Sequence, residues 1–148
     1  MTLNPIPNKN KGSVQAFCHS IAPGQKPIYV LHSPIPGAPL KACFTIVQQQ
    51  VLTHGGRQIT GWKMVEFTNV RLEAEFHVVW ESPDGDLIDI TPQEHNFSRT
   101  LFLPDPSRNN GGTWVTPILK AVTHRTGTQR LIDTLEEEIQ NLQQLEVP

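Results

Sequence analysis

The sequence predicts an α+β fold in which an N-terminal helix packs on an antiparallel sheet of about four strands, followed by a C-terminal helix. Two observations lead to this prediction. Four runs rich in β-branched and aromatic residues lie between positions 58 and 103, and short polar turns separate most of them, which is typical of an antiparallel meander. Apolar residues recur at helical spacing before this region, in 41–54, and after it, in 128–145.

The four predicted strands span residues 58–67, 70–81, 86–91 and 99–103, and a further short strand is predicted over 27–32. Alternation is clearest in the second run, which therefore has one apolar face, formed by Ala74, Phe76, Val78 and Trp80. Residues 14–40 contain five prolines and are predicted to be irregular outside the strand over 27–32.

The helix over 41–54 is predicted from the spacing of Phe44, Val47 and Val51, and Gly55-Gly56 provides a natural stop. The C-terminal helix is predicted from a single apolar stripe, formed by Leu131, Leu135, Ile139 and Leu142. This stripe can pack on its own domain or on a second copy of the chain. A homodimer through the C-terminal helix is therefore one of two alternatives.

The length of 148 residues fits a single domain that can bury a core without disulfide bonds. Residues 1–13 are rich in Asn, Lys and Pro and are predicted to form a disordered tail. The domain is expected to span residues 14–127, and residues 128–148 form the C-terminal amphipathic helix.

The composition argues against several classes of function. Twelve basic and 14 acidic residues give a net charge of -2, so we expect no nucleic-acid partner. No apolar run has the length of a membrane span, which makes a cytoplasmic protein the expectation. Cys18 and Cys43 are expected to be free thiols, and no histidines or cysteines have the spacing of a metal site.

The segment EAEFHVVWESPDGDLIDITP, residues 73–92, predicts a hairpin with its own chemistry. Its Ser-Pro-Asp-Gly turn favours a three-residue loop that ends in a left-handed glycine. Ser82 and Asp86 then flank the loop, Val79 faces Asp89, and His77 becomes a diagonal neighbour of Asp89 on the same face. A two-residue Asp-Gly loop would instead shift the register by one and send His77 and Asp89 to opposite faces.

A carboxylate beside an imidazole fixes the tautomer of the ring and stabilises its protonated form. Cys43 lies at the start of a predicted helix, where unpaired N–H groups and the helix dipole lower a thiol pKa and can bind an oxyanion. Cys43, His77 and Asp89 are therefore candidates for nucleophile, base and orienting carboxylate. Glu75 shares the His77 face and is an alternative orienting residue.

The order of these residues resembles the transglutaminase-like branch of the papain-like cysteine enzymes. In that superfamily the histidine strand often reads like H-A-W-V-E, and the following strand ends in D-P-T or D-x-T-P. This sequence has HVVWE at 77–81 and DITP at 89–92, so the resemblance covers about residues 40–92. Only Cys43, His77 and Asp89 match the functional positions of the family.

The resemblance implies acyl transfer through a thioester, on a protein or peptide substrate and without a metal or organic cofactor. Hydrolysis of a peptide or isopeptide, deamidation and transamidation all remain open. Gln25 and Gln58 are candidates for a second oxyanion donor by residue type, and Trp62 is a candidate to line the substrate cleft. The alternative is a non-catalytic protein-interaction module that retains the fold.

Overall fold

The computed structural model describes residues 3–68, 70–94, 97–108 and 117–121, together with Leu135 and Ile139. The C-terminal helix predicted over 128–148 lies outside the described residues, except that Leu135 and Ile139 are helical and half-buried. The described elements are β1 (Leu3–Asn4), α1 (Gly12–Ile21), β2 (Ile28–His32), α2 (Cys43–His54), β3 (Arg57–Phe67), β4 (Arg71–Glu81), β5 (Leu87–Asp89), β6 (Arg99–Pro104) and β7 (Ile118–Ala121).

The predicted α+β architecture is wrong, because the fold is mostly β and is built on a closed barrel. The strands pair in the order β1-β3-β6-β2-β5-β4-β7, and an additional β3–β4 pairing closes β3, β6, β2, β5 and β4 into a five-stranded ring. β1 and β7 lie outside the ring, where β1 pairs with the end of β3 and β7 pairs with the start of β4. The meander prediction fails after β5, because β2 lies between β5 and β6 and pairs parallel to β5.

The hairpin between β4 and β5 has the predicted register. Trp80 pairs with Ile88 and Glu81 with Leu87, and the Ser82 N–H donates to the Asp86 carbonyl at 2.9 Å. Gly85 has a φ of +89°, the left-handed conformation that ends the three-residue loop. The turn therefore sets which residues of β4 and β5 share a face.

The barrel interior is apolar over part of its length and polar at one end. Val30, Val79 and Phe102 form a buried cluster with Ile28, Ile59 and Leu87 packed against it. Strand alternation places a second group of side chains on the same inward faces, two positions along each strand. This polar end consists of His32, His77, Asp89 and Thr100, all of them buried.

The two helices cover the outside of the barrel. α2, whose predicted existence is confirmed, packs Cys43, Ile46 and Val47 against Val78 and Ile90. α1 falls in residues predicted to be tail or irregular segment, and it covers a second outer face through Val14, Phe17 and Cys18, which pack on strand residues such as Trp62, Met64 and Leu72. The predicted tail region also contributes β1, which pairs with the end of β3.

Barrel closure depends on a glycine in β3. Gly61 pairs with His77 on one side and with Pro104 on the other, so β4 and β6 both approach it. A Cβ atom at this position would lie 2.2 Å from the carbonyl oxygen of Leu103 and 2.6 Å from the Phe102 ring. The space that a side chain would fill is occupied by Phe102, a fully buried interior residue.

We expect Gly61→Ala to destabilise the fold, because the added methyl group would have to displace backbone of β6. Overpacking of this kind costs about 1–3 kcal/mol or more. Urea unfolding curves measure the loss. Gly12→Ala is the matched control, because nothing lies within 4 Å of its Cβ position, and, as a helical residue, it should leave the midpoint unchanged or raise it slightly. Equal midpoints for both variants would contradict the packing described for Gly61.

Candidate active site

Three elements bring the predicted chemical groups together at the polar end of the barrel. Cys43 is the first residue of α2, His77 lies in the middle of β4, and Asp89 ends β5. The Cys43 side chain hydrogen-bonds with His77, and the Val78 N–H is directed to its sulfur. Nε2 of His77 lies 3.0 Å from Oδ1 of Asp89. The structure thus places a thiol, an imidazole and a carboxylate in one contiguous row.

The segment before α2 fixes the position of Cys43 next to the barrel. Lys41 has a φ of +59°, a conformation that non-glycine residues adopt rarely and mostly near functional sites. Its N–H donates to the Pro92 carbonyl at 3.0 Å, so the chain two residues before Cys43 is tied to the chain three residues after Asp89. The first intrahelical bond then runs from the Ile46 N–H to the Ala42 carbonyl, which leaves the N–H groups of the first turn without helix acceptors.

Asp89 is fully buried, and each of its oxygens has a partner. Thr100 donates its hydroxyl to Oδ2 at 2.7 Å, and the Thr91 N–H donates to Oδ1 at 3.3 Å. The contact between Oδ1 and His77 is close, but it lacks the alignment of a good hydrogen bond. It is therefore best described as an ion pair, with the carboxylate held in place by the two threonines.

The electrostatics favour a charged His77–Asp89 pair. Burial by itself would raise the pKa of Asp89, but the positive charge of His77, the Thr100 hydroxyl and His32 lower it from 3.8 to about 2. Burial would lower the pKa of His77, but the negative charge of Asp89 and the contact with Cys43 raise it from 6.5 to about 10. Near neutral pH, His77 is an imidazolium and Asp89 a carboxylate.

The same imidazolium acts on the thiol. Burial and the charge of Asp89 raise the pKa of Cys43, whereas the hydrogen bond and charge of His77 and the Val78 N–H lower it, and the net shift is downward. Cys18 shows the opposite behaviour, because burial without a charged partner raises its pKa to about 11. The two cysteines are both free, but only Cys43 has surroundings that stabilise a thiolate.

A cleft of about 630 Å³ opens onto this row. Cys43 and His77 lie in its wall, and Phe67, Phe76 and Phe97 are among its apolar lining residues. Lysine, arginine and glutamate side chains line other parts of it, namely Lys41, Lys63, Glu75, Glu94 and Arg99. The thiol is thus accessible from a cleft with both apolar and charged walls.

The other predicted site residues are placed elsewhere. Trp62 is 1% exposed, donates its indole N–H to Asp105 at 3.0 Å, and belongs to the core beneath α1. Gln25 and Gln58 are exposed, and neither they nor Trp62 are among the described residues that line the cleft. Glu75 lines the cleft, but Asp89 is the carboxylate that contacts His77.

Two site residues were missed in the sequence, His32 and Thr100. Both lie in predicted strands, and both share an inward face with an apolar core residue two positions away, Val30 and Phe102 respectively. That alternation was the available signal. It could not indicate that β2 lies beside β5, so it could not place His32 next to Asp89.

Comparisons with protein-family models, with curated proteins and with solved structures found no match. Within the described part of the chain, no helix has the length and apolar character needed to cross a membrane. The described residues also contain no group of three or more histidine, cysteine, aspartate or glutamate side chains arranged to hold a metal ion. Function must therefore be argued from the geometry of the site.

We expect Cys43 to be alkylated by iodoacetamide at a pH well below 8.5, the usual pKa of a thiol, because His77 stabilises its thiolate. At pH 6, Cys43 should react roughly tenfold faster than Cys18 or more. His77→Ala should slow the labelling of Cys43 at pH 6 by about tenfold or more and leave the labelling of Cys18 unchanged. Peptide mass spectrometry reads both cysteines in one sample, so Cys18 is an internal control. Slow labelling of Cys43 at pH 6 would contradict an activated thiol.

The stability of the His77–Asp89 pair should have a defined pH window. Asp89 has a lowered pKa, so its contribution is complete above 3.8 and is lost as the pH falls towards about 2. His77 has a raised pKa, so its contribution is complete below 6.5 and is lost as the pH rises towards about 10. The stabilisation is therefore largest between these limits.

Urea unfolding from pH 2 to 10 measures this window when Cys43→Ala is compared with Cys43→Ala/His77→Gln, a background that removes the titration of the thiol. We expect a difference of about 3–5 kcal/mol in the window, as for the loss of one partner of a buried ion pair. The difference should shrink on both sides. A difference that does not vary with pH would show that His77 is not charged in the folded state.

Proposed function

We propose that this protein is a cysteine-dependent acyl-transfer enzyme that acts through a thioester on Cys43. The observation that carries the proposal is the row formed by Cys43, His77 and the buried Asp89, in which the thiol pKa is lowered and the imidazole pKa is raised. A thiolate paired with an imidazolium is the reactive form of a cysteine nucleophile. The Cys-His-Asp order in the chain, which resembles the transglutaminase-like enzymes, supports the same role.

In the proposed reaction, the Cys43 thiolate attacks the carbonyl carbon of an amide. The N–H groups of the first turn of α2, which have no helix acceptors, can stabilise the oxyanion that forms. His77 then gives its proton to the departing nitrogen, the C–N bond breaks and a thioester remains. Water or an amine attacks the thioester, His77 takes up its proton, and the thiolate leaves. Asp89 holds the orientation of the ring throughout and stabilises the imidazolium whenever His77 carries the extra proton.

The cleft supports a protein or peptide substrate, because it is open and combines apolar and charged walls. Peptide or isopeptide hydrolysis, deamidation and transamidation share the thioester and differ in the bond cleaved and in the molecule that attacks it. The proposal includes a cytoplasmic location, where free thiols such as Cys18 and Cys43 persist. The chemistry requires no metal or organic cofactor.

A non-catalytic binding module explains the site less well. Burying an imidazolium and a carboxylate has a desolvation cost that an ion pair often does not recover, and apolar residues of similar size would stabilise the barrel as well or better. In an enzyme this pair stabilises the thiolate of a nucleophile that substrate can reach from the cleft. A module that only binds has no use for such a thiolate.

Acylation by p-nitrophenyl acetate tests the proposed nucleophile without knowledge of the natural substrate. We expect a burst of p-nitrophenol and one acetyl group on Cys43, seen by intact-protein and peptide mass spectrometry. Cys18→Ser should behave like the wild type, and Cys43→Ser should show no burst. His77→Gln should acylate about 10²-fold more slowly, the usual effect of losing the base. Hydroxylamine should then release the acetyl group as a hydroxamate.

The result that would overturn the proposal is acetylation spread over surface lysines with no burst and no dependence on Cys43. Comparing the rate at which water and added amines remove the acetyl group indicates whether the enzyme is poised for hydrolysis or for transfer to an amine.

A further inference from the structure

We propose that His32 is a positioning residue of this site, which acts in its doubly protonated form by holding both Asp89 and one wall of the cleft. The proposal rests on the proposed thiol chemistry of Cys43 and adds a fourth side chain to it. It is carried by the two hydrogen bonds of the His32 ring, by its burial and by its place in the sheet.

Both ring nitrogens of His32 face backbone carbonyl oxygens. Nδ1 lies 2.9 Å from the Phe97 oxygen, and Nε2 lies 2.9 Å from the Thr91 oxygen. A carbonyl oxygen only accepts, and a neutral imidazole has only one N–H. Both contacts are hydrogen bonds only when the ring carries two protons and a positive charge. His32 is 7% exposed, so water cannot readily replace either partner.

The Thr91 contact reaches the carboxylate. His32 pairs with Asp89 across the parallel β2–β5 ladder, and the Ser33 N–H donates to the Asp89 carbonyl at 2.9 Å. Thr91 accepts from His32 through its carbonyl and donates its N–H to Oδ1 of Asp89. The ring therefore holds the residue, Thr91, whose N–H holds the carboxylate, and the carboxylate contacts His77.

The Phe97 contact reaches the cleft. Phe97 lines the cleft, and its carbonyl oxygen lies 2.9 Å from Nδ1 of His32. The His32 N–H also donates to the Ser98 carbonyl at 3.0 Å, so the backbone and the side chain of one residue hold two successive peptides. His32 itself is part of the cleft lining.

The charges around the ring are consistent with a cation. Asp89 on β5 is the carboxylate nearest to His32 along the sheet, and His32 contributes to the low pKa of Asp89. Arg99 on β6 lies across from Leu31 and stacks on Tyr29, with 3.9 Å between its guanidinium carbon and the ring centroid. Asp89 is thus in contact with the His77 ring and paired with His32 across the ladder, and both histidines contribute to its low pKa.

Two substitutions separate the two contacts. Asparagine places its amide nitrogen near the position of Nδ1, so His32→Asn keeps a donor for Phe97 and loses the one for Thr91. Glutamine places its amide nitrogen near Nε2, so His32→Gln keeps the Thr91 bond and loses the Phe97 bond. Neither variant carries the charge. His19→Asn, a substitution of an exposed histidine, is the matched control.

The readouts are the pH profile of Cys43 alkylation by iodoacetamide, which reports the thiolate, and the relative rate with the bulkier N-phenylmaleimide, which reports the cleft wall. We expect His32→Asn to move the alkylation profile to higher pH and to slow the reaction about tenfold at pH 6, as for the loss of a charged hydrogen bond. His32→Gln should slow the alkylation less than His32→Asn does, because it keeps the Thr91 bond, and should change the preference between the two reagents more. His19→Asn should match the wild type in both.

A profile for His32→Asn that coincides with the wild type would overturn the proposal while leaving the thiol chemistry intact. If wild-type Cys43 itself shows no enhanced reactivity, the proposed function fails, and His32 is then judged by nitrogen-15 NMR of its ring. Two protonated ring nitrogens at neutral pH, together with a shifted Thr91 amide in His32→Asn, support its positioning role. An unprotonated ring nitrogen in the wild type overturns it.

Discussion

The constraint on which the site depends is the burial of one negative charge. Asp89 has no exposure to solvent, and an isolated carboxylate there would be too costly to keep ionised. Groups from three strands and a loop stabilise the carboxylate and offset this cost, namely His77, His32, Thr100 and the Thr91 N–H. The raised pKa of His77 and the lowered pKa of Cys43 both follow from that compensation, because the charge that stabilises the carboxylate is also the charge that stabilises the thiolate.

The local chemistry of the hairpin could be predicted from the sequence because its information is local. Ser82, Pro83, Asp84 and Gly85 determine the loop type, the loop determines the register, and the register places His77 on the face of Asp89. The helix that begins at Cys43 could also be predicted, since Phe44, Val47 and Val51 form its apolar face. Gly55 ends it, and the Gly55 N–H donates to the Val51 carbonyl.

The barrel could not be predicted, because its closure depends on pairings between distant segments. Nothing in residues 28–32 shows that β2 pairs parallel with β5 and antiparallel with β6, and that insertion turns an expected open sheet into a ring. α1 was missed for a different reason. Val14, Phe17, Cys18 and Ile21 have helical spacing, but the prolines and polar residues on either side favoured an irregular segment.

The non-local pairing of β2 determines when the site is assembled as the chain folds. Two of the groups that compensate Asp89, His32 and Thr100, come from strands outside the hairpin, so they reach the carboxylate only when β2 and β6 have joined the ring. Before then the carboxylate that contacts His77 lacks two of its partners, and the Cys43 thiol lacks its full activation. A lowered pKa of that sulfur therefore reports that the ring has closed around Asp89.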